Sequence, residues 1–167
     1  MDAATQKPKL NMTTEPQRIT LGPATLVYLE KRGPFMVQAP RAWKEFHTLA
    51  QGKFAAAKSL GMVGLSRIDP TLVGDDANIY QAGMLFEAKP DSIPPELAQR
   101  ELKKADYARF LLTGSYSQFP AAYPAAFAIL EKSAIRLRND FCIERYLNTP
   151  NDVPEHRLET EILIPIA

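Results

Sequence analysis

Two glutamates near the carboxyl end, Glu144 and Glu161, stand inside apolar, β-rich runs where core residues would ordinarily be placed. The first run extends from Phe141 to Leu147 and the second from Leu158 to Ile164, with a polar turn between them. Side chains alternate faces along a strand. Cys142, Glu144 and Tyr146 therefore share one side of the first run, and Glu159, Glu161 and Leu163 one side of the second. If those sides coincide, two carboxylates lie beside aromatic rings. A carboxylate withdrawn from water attracts a cation, and a second acid beside it raises its pKa toward the range of general acid–base work. The plain alternative is a glutamate that faces solvent or pairs with a cation, and Arg109 and Arg145 are available for that.

Rings give such a site its second property. Each Tyr or Trp face attracts a delocalised cation by about 0.5–2 kcal/mol while its flat area covers the apolar body of a ligand. Candidates are Tyr28, Trp43, Tyr80, Tyr107, Tyr116, Phe119, Tyr123 and Tyr146. Alternation puts Tyr80 with Ala82 and Met84, on a side expected to face Glu161 and Leu163, and Tyr116 follows the Gly114 break where it could close over a groove. Trp43 and Tyr123 begin apolar helical stripes and read as helix core. Met84 offers an adaptable thioether wall. Cys142 lies beside Glu144, where acids raise a thiol pKa, so it does not read as a nucleophile. With one cysteine, and with His47 and His156 in no triad, neither a metal site nor a cofactor is expected.

The elements that must position these residues come in two sets. Ala24–Glu30 reads as a strand ending at Gly33-Pro34, followed by a helix that opens at Pro40 and carries Trp43, Phe46, Leu49, Ala50, Ala57 and Leu60 as far as Gly61. Strands follow at Met62–Ile68 and Ile79–Glu87, then a proline-rich connector, Lys89–Gln99. The order then repeats, with a strand at Tyr107–Leu112, a break at Gly114, a helix from Pro120 striped by Tyr123, Phe127 and Leu130, and the two acid-bearing strands. Gly33, Asp69 and Tyr80 recur at closely similar spacing as Gly114, Asn148 and Glu159, which indicates a duplicated β-α-β-β unit. In that register Glu144 takes the place of Leu65, and Glu161 that of Ala82. The expected fold is α+β, a pseudo-twofold antiparallel sheet with helices on its outer side and a central ligand groove between the copies. Residues 1–17 are expected to be a flexible segment before a single domain, 18–167, with a first repeat of about 19–88, a connector of about 89–104 and a second repeat of about 105–167.

Composition narrows the function. The 167 residues are 46% hydrophobic and 23% charged, in the range of one ordinary globular domain. Twenty Lys and Arg balance 19 Asp and Glu without a long like-charge run, so no direct nucleic-acid surface and no anionic-membrane surface is expected. No secretory signal or bilayer-length apolar run is visible, and a soluble cytoplasmic protein is expected.

The segments Glu-x-Tyr-Leu-Asn-x-Pro from Glu144 and Thr-Glu-Ile-x-Ile-Pro from Thr160, with Asp-Tyr-Ala-x-Phe from Asp106 and Gly-Ser-Tyr from Gly114, resemble the gyrase-inhibitor-like (GyrI-like) small-molecule-binding domain. That domain is also the effector-binding half of AraC-type and multidrug-sensing transcription activators. The resemblance spans roughly Ile19 to the carboxyl end. It implies the pseudo-twofold fold, a hydrophobic, aromatic or cationic small molecule as ligand, Glu144 as the characteristic acid and Glu161 as a second one. Leu163 stands where many members carry an aromatic, and Arg109 and Arg145 where aliphatics are common, so either arginine is placed to neutralise Glu144. Similar proteins that open strained cyclopropane rings make a hydrolase with Glu144 as base the alternative. Binding of gyrase or another protein is a third implied class, although no residue marks a partner surface. A haem-binding relative of the fold exists, but a lone His47 reads as packing or surface rather than an axial ligand. The residues before the domain are too few for a helix-turn-helix, so a stand-alone binding protein is expected.

Overall fold

The computed structural model describes residues 9–54 and 57–167. The element order is β1 (Gln17–Leu21), β2 (Ala24–Arg32), α1 (Phe35–Ala50), β3 (Ser59–Ile68), β4 (Asn78–Phe86), β5 (Ala98–Leu102), β6 (Ala105–Thr113), α2 (Phe119–Lys132), β7 (Cys142–Tyr146) and β8 (Glu159–Pro165). All the strands join one 8-stranded antiparallel sheet in the order β1-β6-β8-β7-β3-β4-β2-β5. Read from either edge, that order is the same for the two halves, so a pseudo-twofold axis passes between β3 and β7. The duplicated α+β plan holds, with one addition. Each unit begins with a further strand, and that strand is exchanged: β1 pairs with β6 of the second unit, and β5 with β2 of the first. β5 lies in the stretch expected to be only a connector.

The exchange forces the sheet to curl. β1 is at one edge and β2 is next to the opposite edge, yet only Gly22 and Pro23 separate them in sequence. A link that short spans about 10 Å at most, so the two edges must approach each other. Gly22 shows how closely the links pass: at φ 90°, a Cβ there would stand 2.9 Å from the carbonyl oxygen of Leu102, at the start of the β5–β6 link. Inside the curl lies a core of Leu21, Leu26, Val63, Leu65, Leu85, Leu102, Tyr107, Ile143 and Leu163. The helices cover the outer face. Phe46 and Ala42 of α1 pack on Val27, Tyr80, Ala82 and Phe86, while Ala122, Ala126 and Leu130 of α2 pack on Phe110, Leu112, Ile162 and Ile164.

Helix α1 starts at Phe35, not at Pro40, and ends at Ala50 rather than Gly61. Pro34 supplies the break in chain direction, and Pro40 sits inside the second turn. At the other end Gln51 turns extended and Gly52 takes φ 70°, stopping the helix although apolar residues continue at helical spacing beyond it. The amino-terminal segment is more engaged than its composition suggests. Thr13 donates its N–H to the Leu111 carbonyl and Thr113 donates to that of Asn11, while Leu10 and Met12 pack into the α2 cluster. The first eight residues of the expected flexible segment lie outside the described residues. Among those described, no helix is long and apolar enough to cross a membrane.

Candidate functional site

Strand pairing assigns the faces. Glu144 pairs with Gly64 on one side and Ile162 on the other, whereas Glu161 pairs with Arg145 and Leu111. Paired residues share a face, so Glu144 belongs to the outer, helix-covered side with Ile162, and Glu161 to the inside of the curl with Ile143 and Leu163. Contrary to expectation, then, the two acids do not share a surface. The β7–β8 register is one residue away from the one that would bring them together. Tyr28 is likewise inside the curl, under the guanidinium of Arg100 at 5.6 Å, and Leu163 is core. Tyr80 does not face Glu161 and Leu163; it lies on the outer face, paired with Ser66. Met84 shares that outer face and packs in the α1 cluster.

The same pairing corrects the internal alignment. Leu26 lies between Arg100 and Leu85, and Tyr107 lies between Ile19 and Pro165, so Leu85 and Pro165 are equivalent. Counting back along β4 and β8 matches Tyr80 with Thr160 and Gln81 with Glu161. The neighbouring strands then match Gly64 with Glu144, instead of Leu65 with Glu144, and Ser66 with Tyr146. The acid thus sits beside the axis, across from its own twin position, and that position is a glycine.

Gly64 has a steric reason. A Cβ there would fall 2.4 Å from the Tyr80 hydroxyl and 2.9 Å from that of Tyr146. The bare backbone makes room for a chain of polar contacts. Trp43 on α1 donates its indole N–H to the Tyr80 hydroxyl at 2.7 Å, and the Tyr80 and Tyr146 hydroxyls stand 3.4 Å apart. Tyr146 donates to Glu144 Oε1 at 2.7 Å, and Tyr123 on α2 donates to Glu144 Oε2 at 2.8 Å. Rings enclose the chain. Trp43 and Tyr116 each meet the Tyr146 ring edge-on, at 5.5 and 5.6 Å, with Phe119 stacked on Tyr116. Glu144 is 7% exposed beneath them.

Among the described residues no cation pairs with Glu144. Burial holds its carboxyl pKa above the usual range, only partly offset by the hydroxyls of Tyr146 and Tyr123. Its charge feeds back on the surroundings. Burial first, and Glu144 second, raise the pKa of Tyr80, Tyr116, Tyr123 and Tyr146. They also push the Cys142 thiol up to about 12, in keeping with an inert cysteine. Both arginines considered as partners of Glu144 turn to Glu161 instead. Arg145 Nε donates to its Oε1 at 2.6 Å and Arg109 Nε to its Oε2.

Sequence reasoning named Trp43 and Tyr123 among the candidate rings but set them aside as helix core, and it did not single out Gly64. The apolar stripes of the helices do contain Trp43 and Tyr123, which is why they read as core. Each also carries a polar group that burial obliges to find a partner. They begin matching stripes on the two helices, a correspondence that would have aimed both at the axis.

With this geometry in place, the chain belongs to the GyrI-like family: the description "GyrI-like small molecule binding domain" matches residues 14–167. Solved structures carry the same fold. SAV2435 bound to tetraphenylphosphonium is 17% identical with a TM-score of 0.67, covering 92% of this chain and 94% of that one. The C-terminal domain of EcmrR is 14% identical with a TM-score of 0.65, covering 91% and 98%. A hydrolase from Listeria innocua is 11% identical with a TM-score of 0.59, covering 92% of each. Comparison with curated proteins gives no match.

Proposed function

We propose that this chain binds hydrophobic, aromatic or cationic small molecules between α1 and α2, on the outer face of the sheet, with Glu144 as the floor. One observation carries the proposal. Among the described residues a buried carboxylate is held by tyrosine hydroxyls alone, under rings contributed by both halves. Burying an ionised carboxylate without a counter-ion costs several kcal/mol, so these surroundings by themselves favour the neutral acid. An organic cation supplies the missing charge, while Trp43, Tyr116 and Tyr146 part to receive its apolar body and contribute about 0.5–2 kcal/mol per ring through cation–π contact. The structural relative that holds tetraphenylphosphonium supports a ligand of that class.

Trp43 is the only tryptophan in the sequence, so its fluorescence reports directly on the rings around Glu144. Titration with tetraphenylphosphonium is expected to change that emission saturably, and Glu144→Gln to weaken the affinity about 10-fold or more, equivalent to about 1.4 kcal/mol. Equal affinity in the two proteins would remove the acid from the site.

A hydrolytic reading has a narrower basis. In its ionised form a carboxylate whose pKa is raised by burial is a stronger base than a free one, able to take a proton from a water that attacks a strained ring, and one structural relative is described as a hydrolase. Incubation with an electrophilic cyclopropane, followed by mass spectrometry, tests it. A hydrated product above the buffer rate that disappears in Glu144→Gln is the expected sign of turnover, and its absence leaves binding alone.

A further inference from the structure

The pseudo-twofold repeat is broken at one sheet edge. In the second half, Asn11–Thr13 runs beside β6 beyond the end of β1. Thr13 and Asn11 exchange backbone hydrogen bonds with Leu111 and Thr113, and Met12 bridges Leu112 and packs with Leu10 against the α2 cluster. The matching edge in the first half is Glu30–Arg32 of β2. There β5 stops pairing at Tyr28, opposite Ala98. The cause is in the sequence. Pro94 and Pro95 precede β5, lack N–H donors and turn the chain away, with Leu97 bonded back to the Pro94 carbonyl. Where Leu10 and Met12 fill the groove beside α2, the groove beside α1 is open, with a volume of about 560 Å³, a floor of Leu29 and Leu49 and a rim of Arg41, Lys44, Glu45, Thr48 and Glu96.

We propose that this edge takes an extended, acidic segment of a partner protein, which adds to β2 as Asn11–Thr13 adds to β6 and places an apolar side chain over Leu29 and Leu49. The molecule itself demonstrates the mode of pairing at the twin edge, and such strand addition is a general way to bind peptides. Charge selects the partner. Lys31 is paired with Glu45 and Arg32 with Glu30, which leaves Arg41, Lys44 and Glu96 without an ion-pair partner among the described residues, two cations against one acid, so the groove keeps a net positive charge.

The probe is a synthetic peptide, acetyl-Glu-Leu-Asn-Met-Thr-Glu-Glu-amide, which copies the segment at the twin edge and adds acid. Added to the isotope-labelled full chain, it is expected to shift the amide resonances of Leu29–Arg32 and of the Arg41–Leu49 face of α1 saturably. Arg41→Glu combined with Lys44→Glu, on the rim of the groove, is expected to weaken binding about 5-fold or more. The same peptide with proline in place of threonine lacks the donor that would face Glu30 and is expected not to bind. The proposal is overturned if no saturable shift occurs at about 1 mM peptide, a concentration that half-fills even a millimolar site. It is equally overturned if the shifts fall at Leu111–Thr113, if the proline peptide binds as well, or if sedimentation shows a dimer and the amides of Leu29–Arg32 shift with protein concentration in the absence of peptide.

Discussion

Glu144 and Glu161 sit on neighbouring strands of one sheet, 7% and 4% exposed, and they solve the problem of a buried carboxylate in opposite ways. Glu161 is compensated by charge. Burial pushes its pKa up, but hydrogen bonds from Arg145 and then Arg109, with their positive fields, bring it below the ordinary value. Among the described residues Glu144 is compensated only by dipoles, the hydroxyls of Tyr146 and Tyr123, and its pKa stays raised. Depth of burial therefore does not distinguish a structural acid from a candidate binding acid; the nature of the compensation does. The arginine-held carboxylate has no charge deficit for a ligand to fill, whereas the hydroxyl-held one has.

Removing Glu161 gives the largest expected effect. Glu161→Ala leaves Arg109 and Arg145 facing each other over a buried alanine, and breaking such a pair costs about 3 kcal/mol. The side chains of both arginines stay 22% and 26% exposed, which places the loss toward the lower end of such changes. Urea unfolding at neutral pH should show the drop, while any tetraphenylphosphonium affinity stays within about 2-fold, since the proposed site lies on the other face. The loss should depend on pH. With its folded pKa depressed, Glu161 contributes stability that is present above its unfolded pKa and is lost as pH falls through the folded value. Wild type and Glu161→Ala should therefore converge in acid. A mutant that folds normally but no longer binds the cation would erase the division between the two acids.

Gly64→Ala tests why the twin of Glu144 carries no side chain. The new methyl meets the Tyr80 and Tyr146 hydroxyls at 2.4 and 2.9 Å, and these lie at the tips of stiff, packed rings. Overpacking of this kind costs about 1–3 kcal/mol, offset by about 0.4–1 kcal/mol from a less flexible unfolded chain. A net loss of about 1–2 kcal/mol is expected on those terms. A shift in Trp43 emission should accompany it, because Tyr80 is the indole's hydrogen-bond partner. Unchanged emission would mean that the hydroxyl chain does not depend on the glycine.

The fold is largely legible in the sequence because duplication leaves two independent records of one plan, in which Gly33 and Gly114, the helical stripes and the paired strands repeat. What is not legible depends on strand register. Glu144 and Glu161 alternate correctly within their own strands, but which faces coincide is decided by pairing across the turn from Asn148 to Arg157. A one-residue offset there exchanges every side chain between faces. The exchanged strands are hidden for a related reason. Gln17–Leu21 and Ala98–Leu102 are short and mixed in polarity, and each is stabilised by a partner in the other half rather than by a pattern of its own. Trp43 and Tyr123 read as packing because periodicity reports which side of a helix is buried, without saying whether an indole N–H or a phenol finds a polar partner there.

The smallest expected effect probes the compensation itself. Tyr146→Phe removes the stronger of the two hydroxyl contacts that lower the Glu144 pKa, and Tyr123→Phe removes the weaker. Each lost hydrogen bond should cost about 1 kcal/mol when Glu144 is ionised, and less when it is protonated. The sign follows from the raised folded pKa. The contribution of Glu144 to stability is full below its unfolded pKa and is lost as pH rises through the folded value, so the unliganded protein should weaken toward alkaline pH. Taking away a hydroxyl raises the folded pKa further and extends that loss to higher pH, more for Tyr146→Phe than for Tyr123→Phe. The carboxyl carbon resonance of Glu144, followed through a pH titration, reads the midpoint directly. A midpoint that moves up in both variants while that of Glu161 stays fixed would show that the phenols alone hold this charge. A Glu144 midpoint unmoved by either variant would mean that something other than these hydroxyls compensates it, and the contrast between the two glutamates would fail.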